Sequence, residues 1–235
     1  MTTEQALQLA VIIINELEGG YYHPDMKAKL KGGENMGDSG ETMYGLDRQK
    51  GNIENSEAGK KFFALVDKYY STHHADTGYY NDKANGKHAD IPATVGNELK
   101  QLAAQVILQR FNSYSSALSS AAKEKVMNDP ALLIQFFYGV YNGQGNFNKL
   151  AAVMNDACSK GTTDAKTLYQ LLQAKRRTLG TGENGQKLFR KGADKLDNII
   201  KKYYGLDYAE KKSSKTWLYI LGGLALFLLL RNKKK

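Results

Sequence analysis

From Thr3 to Glu18 the chain has no glycine or proline, and Leu7, Ala10, Val11, Ile14 and Leu17 recur at spacings of three and four. That period predicts a helix with one buried face, stopped by Gly19 and Gly20. The same pattern returns over Ser56–Tyr70, with Phe62, Phe63, Leu65, Val66 and Tyr69 in phase. Pro92 opens a long helical segment running to about Ser120, carrying Val95, Leu99, Leu102, Val106 and Phe111 on one face. Pro130–Tyr141 is apolar enough to be a central buried helix, and Lys149–Lys160, Asp164–Leu179 and Gly185–Tyr204 complete the helical set. The chain has only three prolines and no clear alternating run, which leaves room for little more than a short hairpin across Tyr21–Leu46. The expected fold class is mainly α.

One segment breaks the amphipathic rule. Thr216–Leu230 carries no charge and is apolar on every face, follows the polar stretch Ala209–Ser214, and is bounded by Lys215 and Arg231. Trp217 and Tyr219 stand at one end, where interfacial aromatics belong. As a helix it spans about 22 Å, short of the roughly 30 Å hydrocarbon core, a gap that snorkelling cations and local thinning can close. The division this predicts is a globular domain over 1–205, a polar and basic linker over 206–215, a transmembrane anchor over 216–231 in contact with membrane lipid, and a basic tail over 232–235. Four positive residues after the span against three before it slightly favour a cytoplasmic C-terminus. Met1-Thr-Thr-Glu-Gln lacks the positive start of a cleavable signal.

Charge supports this division. The formal net charge is +9, yet residues 211–235 hold seven basic residues and no acid, so the first 210 residues carry only +2. A nearly balanced globular part excludes a dedicated nucleic-acid binder, which would carry a basic stripe on its folded surface. The basic clusters Lys175–Arg177 and Arg190–Lys202 read as solvated helix faces. The single cysteine, Cys158, cannot form an internal disulfide.

The candidate chemistry lies just after the first helix. Glu18 ends an apolar run, and about twenty residues later a polar loop supplies Asp38, Glu41 and Thr42. Glycoside cleavage needs one carboxyl kept protonated at neutral pH to donate to the leaving oxygen, and a polar partner across the scissile bond. A glutamate at the negative end of a helix dipole, beside Ile14 and Leu17, is favoured in its neutral form. Among the aromatics, Tyr21, Tyr22, Tyr44, Tyr79, Tyr80, Tyr138 and Tyr141 offer rings for stacking on sugars.

The order Glu18-Gly-Gly-Tyr21, then Asp38-Ser-Gly-Glu-Thr42-Met-Tyr44-Gly-Leu46, resembles the start of the phage and bacterial muramidases of glycoside hydrolase family 108, in the lysozyme superfamily. Phe136-Phe-Tyr-Gly-Val-Tyr-Asn142-Gly-Gln-Gly145 is similar to that family's later helix, and Arg176-Arg177 with Leu188-Phe-Arg190-Lys-Gly192 to its C-terminal pattern. Two departures stand out: His23–Gly37 is a longer connection than the family's, and Ala193 occupies the place of its Trp. The resemblance implies a lysozyme-like helical domain that cuts peptidoglycan between N-acetylmuramic acid and N-acetylglucosamine, without a cofactor. It puts Glu18 at the catalytic acid, Asp38 and Thr42 at the catalytic loop, and Glu41, Tyr44, Tyr141 and Asn142 beside the substrate. Hydrolysis and lytic transglycosylation both remain open. Together with the apolar tail it points to a phage virion protein in a virion or host inner membrane, among other viral membrane or capsid proteins. The alternative is a non-catalytic structural or peptidoglycan-binding membrane protein. His73-His74 with Asp76, and His88 with Asp90, read as surface loop rather than metal ligands, because adjacent histidines point in different directions on a helix or strand and no Cys or Glu completes a ligand set.

Overall fold

The computed structural model describes residues 1–30, 40–83 and 87–208. Asp38, most of the linker and the 216–231 segment lie outside them. No helix among the described residues is long and apolar enough to cross a membrane.

The described chain is mainly α, with eight α-helices and a small sheet. The first helix, α1 (Thr3–Leu17), starts at a capping box in which the Thr2 hydroxyl accepts from the Gln5 N–H and the Gln5 side chain accepts from the Thr2 N–H. Its buried stripe is Ala6, Leu9, Ala10, Ile13 and Ile14; Leu7, Val11 and Leu17, expected at the centre of that face, are only half-buried. The helix is apolar most of the way round, so the partners it meets, α3 and α5, decide which stripe is covered.

Three two-residue strands follow, β1 (Tyr21–Tyr22), β2 (Thr42–Met43) and β3 (Leu46–Asp47), paired antiparallel in that order. Thr42 faces Asp47 and Met43 faces Leu46, leaving Tyr44-Gly45 as a two-residue hairpin loop. Both loop residues have positive φ, 53° and 72°, as a type I′ turn requires. A tyrosine in that conformation costs roughly 1–2 kcal/mol. It is offset here because the Tyr44 ring is fully buried and its hydroxyl donates to the Lys83 carbonyl at 2.6 Å.

The remaining helices are α2 (Glu57–Tyr69), α3 (Ala93–Tyr114), α4 (Ser120–Asn128), α5 (Pro130–Tyr141), α6 (Gln144–Ser159), α7 (Ala165–Arg177) and α8 (Gly182–Tyr204). The long segment expected from Pro92 to Ser120 stops at Tyr114 and ends in a turn at Ser115–Ala117; beyond it Ser119 caps α4, a helix that the hydrophobic pattern does not predict, by accepting from the Ala122 N–H. Asn155 of α6 holds the break open, accepting from the Ser119 N–H and donating to the Ala117 carbonyl. The start of α6 comes five residues before the expected Lys149, because Gly143, at φ 81°, turns the chain directly into it. One apolar core runs from Ala6 to Ile200, with α5, buried on nearly every face, in its middle. Arg176 corrects the solvated-face reading of Lys175–Arg177: it is fully buried.

Candidate functional site

Glu18 is the C-cap of α1, one residue past the last turn, in extended backbone. Glu16, two residues earlier, points elsewhere. Its carboxylate accepts from Lys202 and Tyr203 of α8 at 2.6 Å each, and these partners hold it below the usual carboxylate range. The extended turn at Glu18 sends its side chain to the tip of the β2–β3 hairpin. A Cβ on Gly45 would stand 2.3 Å from Glu18 Oε2 and 2.9 Å from Cδ1 of Tyr141. The Glu18 carboxyl and the Tyr141 ring, on the last residue of α5, thus both lie against the hairpin at Gly45.

The double glycine does more than stop the helix. A Cβ on Gly20 would lie 2.1 Å from the carbonyl oxygen of Asp82, so only glycine lets the 81–82 segment approach the chain there. That approach is fixed by Tyr21 N–H donating to the Asp82 carbonyl and Asn81 N–H donating to the Tyr21 carbonyl, both at 3.1 Å. It brings Tyr80 and Asn81 alongside Glu18.

The result is an open cleft of about 320 Å³. Glu18, Gly19 and Gly20 form one side, Thr42 and Gly45 come from the hairpin, Tyr22, Tyr80 and Asn81 from the β1 region, and Tyr138, Tyr141 and Asn142 from the end of α5. Tyr22 and Tyr80 meet edge to face at 6.3 Å between ring centres. The Tyr138 ring carries the Arg176 guanidinium 4.9 Å from its centre, and its hydroxyl lies against Gly192 of α8, where a Cβ would stand 2.7 Å away. Arg176 donates to the side chain and main chain of buried Gln135 at 2.8 and 2.5 Å. Burial pushes its pKa down to about 10, while Tyr138 and Tyr169 pull it back up, so it stays charged at neutral pH. Burial and the nearby Glu18 charge both raise the Tyr138 and Tyr141 hydroxyls. The Tyr141 hydroxyl is buried without a hydrogen-bond partner among the described residues. Lys83, whose ammonium donates to the Asn15 carbonyl at 2.9 Å, is lowered by burial and by Lys100 and raised by Glu18, which puts positive charge beside the carboxyl.

The structure therefore gathers Glu18, Thr42, Tyr141 and Asn142 into one cleft. The Thr42 hydroxyl donates to the Gly40 carbonyl at 3.2 Å, and the Asn142 amide donates to the Tyr138 carbonyl at 2.6 Å. Glu41 and Tyr44 are placed differently from the expectation. The Glu41 carboxylate is buried on Tyr21 Oη at 2.8 Å, Ser71 Oγ at 2.5 Å and Arg48 Nε at 3.4 Å, tying the hairpin to β1 and to the end of α2. Tyr44 fills the core behind the hairpin. Neither residue is among those that line the cleft. Asp38 lies outside the described residues. Sequence reasoning did not single out Asn81 or Gly45, whose roles depend on a left-handed backbone at Asn81 (φ 59°) and on an approach to Glu18 that no local pattern encodes.

No family model, curated protein or solved structure matches this chain.

Proposed function

We propose that the protein is a lysozyme-like glycosidase that cleaves the glycan strand of peptidoglycan, with Glu18 as the general acid. One observation supports this most directly: the side chain that the motif resemblance makes the acid lines an open cleft, against the hairpin that carries Thr42. Four tyrosines, Tyr22, Tyr80, Tyr138 and Tyr141, line that cleft. Rings of this kind stack on sugar faces and hydrogen-bond sugar hydroxyls. Glu18 would give its proton to the glycosidic oxygen as the bond to the anomeric carbon breaks, leaving an oxocarbenium-like sugar. Thr42, with Asp38 from the segment before it, would position the water that attacks it, and the water's proton passes to a carboxylate of the site. In a transglycosylase the muramic acid 6-hydroxyl takes that place and gives its proton back to the Glu18 carboxylate as the new ring closes. The apolar run over 216–231 would hold this domain at a membrane facing the wall, in a phage virion or the host inner membrane.

The test uses the full chain in mild detergent on purified peptidoglycan, followed by turbidity and by mass spectrometry of the released ends. Wild type is expected to clear the suspension, and Glu18→Gln to lose about 10²–10⁴-fold in rate with its helical circular dichroism unchanged. New reducing ends identify hydrolysis; 1,6-anhydro ends identify transglycosylation. Absence of clearing by the wild type refutes the glycosidase reading, and equal clearing by both proteins refutes the role of Glu18.

A further inference from the structure

We infer that His23, Asp25 and His74 form a binding site for a first-row divalent transition ion, with Zn²⁺ the best match to the donor set. The three residues come from separate parts of the chain. His23 closes β1 and caps the 3₁₀ turn Pro24–Lys29, Asp25 sits in that turn, and His74 follows the turn Ser71–His73 after α2. One ligand atom from each lies within 4.8 Å of the other two. His74 Nδ1 is 2.7 Å from Asp25 Oδ2, and His23 Nδ1 is 3.5 Å from the same oxygen. The imidazole rings meet edge to face at 5.2 Å.

Two ligand atoms each about 2.1 Å from one tetrahedral ion stand roughly 3.4 Å apart. The His23–Asp25 separation already has that value, and the His74–Asp25 pair needs to open by less than an ångström. Capture through His23 Nδ1 exchanges the 3.2 Å bond that this nitrogen accepts from the Asp25 N–H for a metal bond. Two imidazoles and a carboxylate suit zinc-like ions and disfavour Ca²⁺ and Mg²⁺, which take oxygen ligands. Asp25 and His74 are about half exposed, which leaves a path for the ion and room for water as the remaining ligand. A solvent-open hollow of about 430 Å³ lies beside His74, lined also by Thr72, His73 and Asp76.

The bound ion would clip the start of the Pro24–Lys29 turn to the segment leading into Tyr80 and Asn81. Tyr22, next to His23, lines the same wall of the cleft. The site is thus a brace for that wall, and it stands whether or not the cleft acts on glycans. The test is a titration of the untagged full chain, freed of metal by chelation, with CoCl₂ followed by visible absorption, and with ZnCl₂ followed by thermal melting. Expected are one Co²⁺ per chain, a Tm rise of roughly 5 °C at about 100-fold excess of Zn²⁺ over its Kd, and no rise with CaCl₂. His74→Ala should weaken uptake at least tenfold, and Asp25→Asn, which keeps the side-chain shape, should do the same if the alanine variant melts early. No stoichiometric uptake, or uptake unchanged in His23→Ala and His74→Ala, overturns the proposal. Uptake abolished by Cys158→Ser and retained in the histidine variants overturns it equally.

Discussion

At the scale of single residues, Gly20 and Gly45 make room for different atoms, and substituting them separates folding from the cleft. Gly20→Ala drives a methyl group into the Asp82 backbone at 2.1 Å, and backbone cannot step aside. Gly45→Ala drives one into Glu18 Oε2 at 2.3 Å, the far end of a side chain that can rotate away, at a backbone cost of roughly 1–2 kcal/mol for φ 72°. The expected outcome is that Gly20→Ala loses most of its stability in a thermal melt. Gly45→Ala should melt only about 2–8 °C lower; under the proposed glycosidase activity it should release glycan fragments at least 100-fold more slowly, because a displacement of Glu18 by about 1 Å suffices for that loss. A Gly45→Ala protein with wild-type turnover would mean that the Glu18 position against the hairpin is immaterial. The position of Glu18 at the end of α1 was legible in the sequence, since the helix period runs directly into it and glycines follow. The reason for those glycines was not, because the atoms they make room for belong to Asp82, some sixty residues further along.

At the scale of elements, α5, α7 and α8 are joined through buried polar contacts that feed into the cleft. Arg176 of α7 is held by Gln135 of α5 and carries the Tyr138 ring, which closes against Gly192 of α8. A second junction lies beside it: Gln173 donates to Asp197 and to the Ala193 carbonyl, and the Tyr169 hydroxyl donates to Asp197. Burial raises the Asp197 carboxyl, and the Gln173, Tyr169 and Arg177 contacts oppose that shift. Arg176→Ala removes the platform under Tyr138, leaves a void and strands the Gln135 side chain, for an expected loss of about 3 kcal/mol in denaturant unfolding. The double variant Arg176→Met with Gln135→Leu fills the space without stranding a polar group. It should recover most of that stability, while under the proposed activity KM is raised several-fold in both variants, because Tyr138 has lost its cation. Full recovery of KM in the double variant would show that Arg176 does not position Tyr138. Seven of the eight described helices were readable from the 3.6-residue period, and so was the end of α5 at Tyr141. The break at Ser115–Ser119, the α4 helix beyond it and the early start of α6 were not, because Asn155 and the positive φ of Gly143 set them rather than a hydrophobic pattern. Arg176 was misread because a run of three basic residues looks the same whichever of them the helix turns inward.

At the scale of the whole molecule, the core is unusually dependent on tyrosine. Tyr21, Tyr44, Tyr70, Tyr141 and Tyr169 are all raised above the ordinary phenol value, first by burial. Several also sit on acids: Tyr21 on Glu41, Tyr70 on Asp82 and Tyr169 on Asp197. The apolar periodicity of the sequence showed that a core exists, but not that these phenols are its girders, since a tyrosine reads alike at the surface and inside. The consequence is a stability limit at alkaline pH. The unfolded chain releases these protons near pH 10, whereas the folded chain holds them to higher pH. Above pH 10 the unfolded state binds fewer protons than the native state, so stability falls as pH rises. Each such group contributes about 1.4 kcal/mol per pH unit to that fall. Five acting together would exhaust a typical margin of about 5–15 kcal/mol within one to two units. We therefore expect no early tyrosinate signal from this set. Tyrosinate absorbance and loss of helical circular dichroism should instead rise together in one steep step above pH 10, and raising the salt concentration should not remove it. If the buried tyrosines titrate smoothly near pH 10 while the helical signal is intact, their hydroxyls are accessible to water and the core is not packed as described.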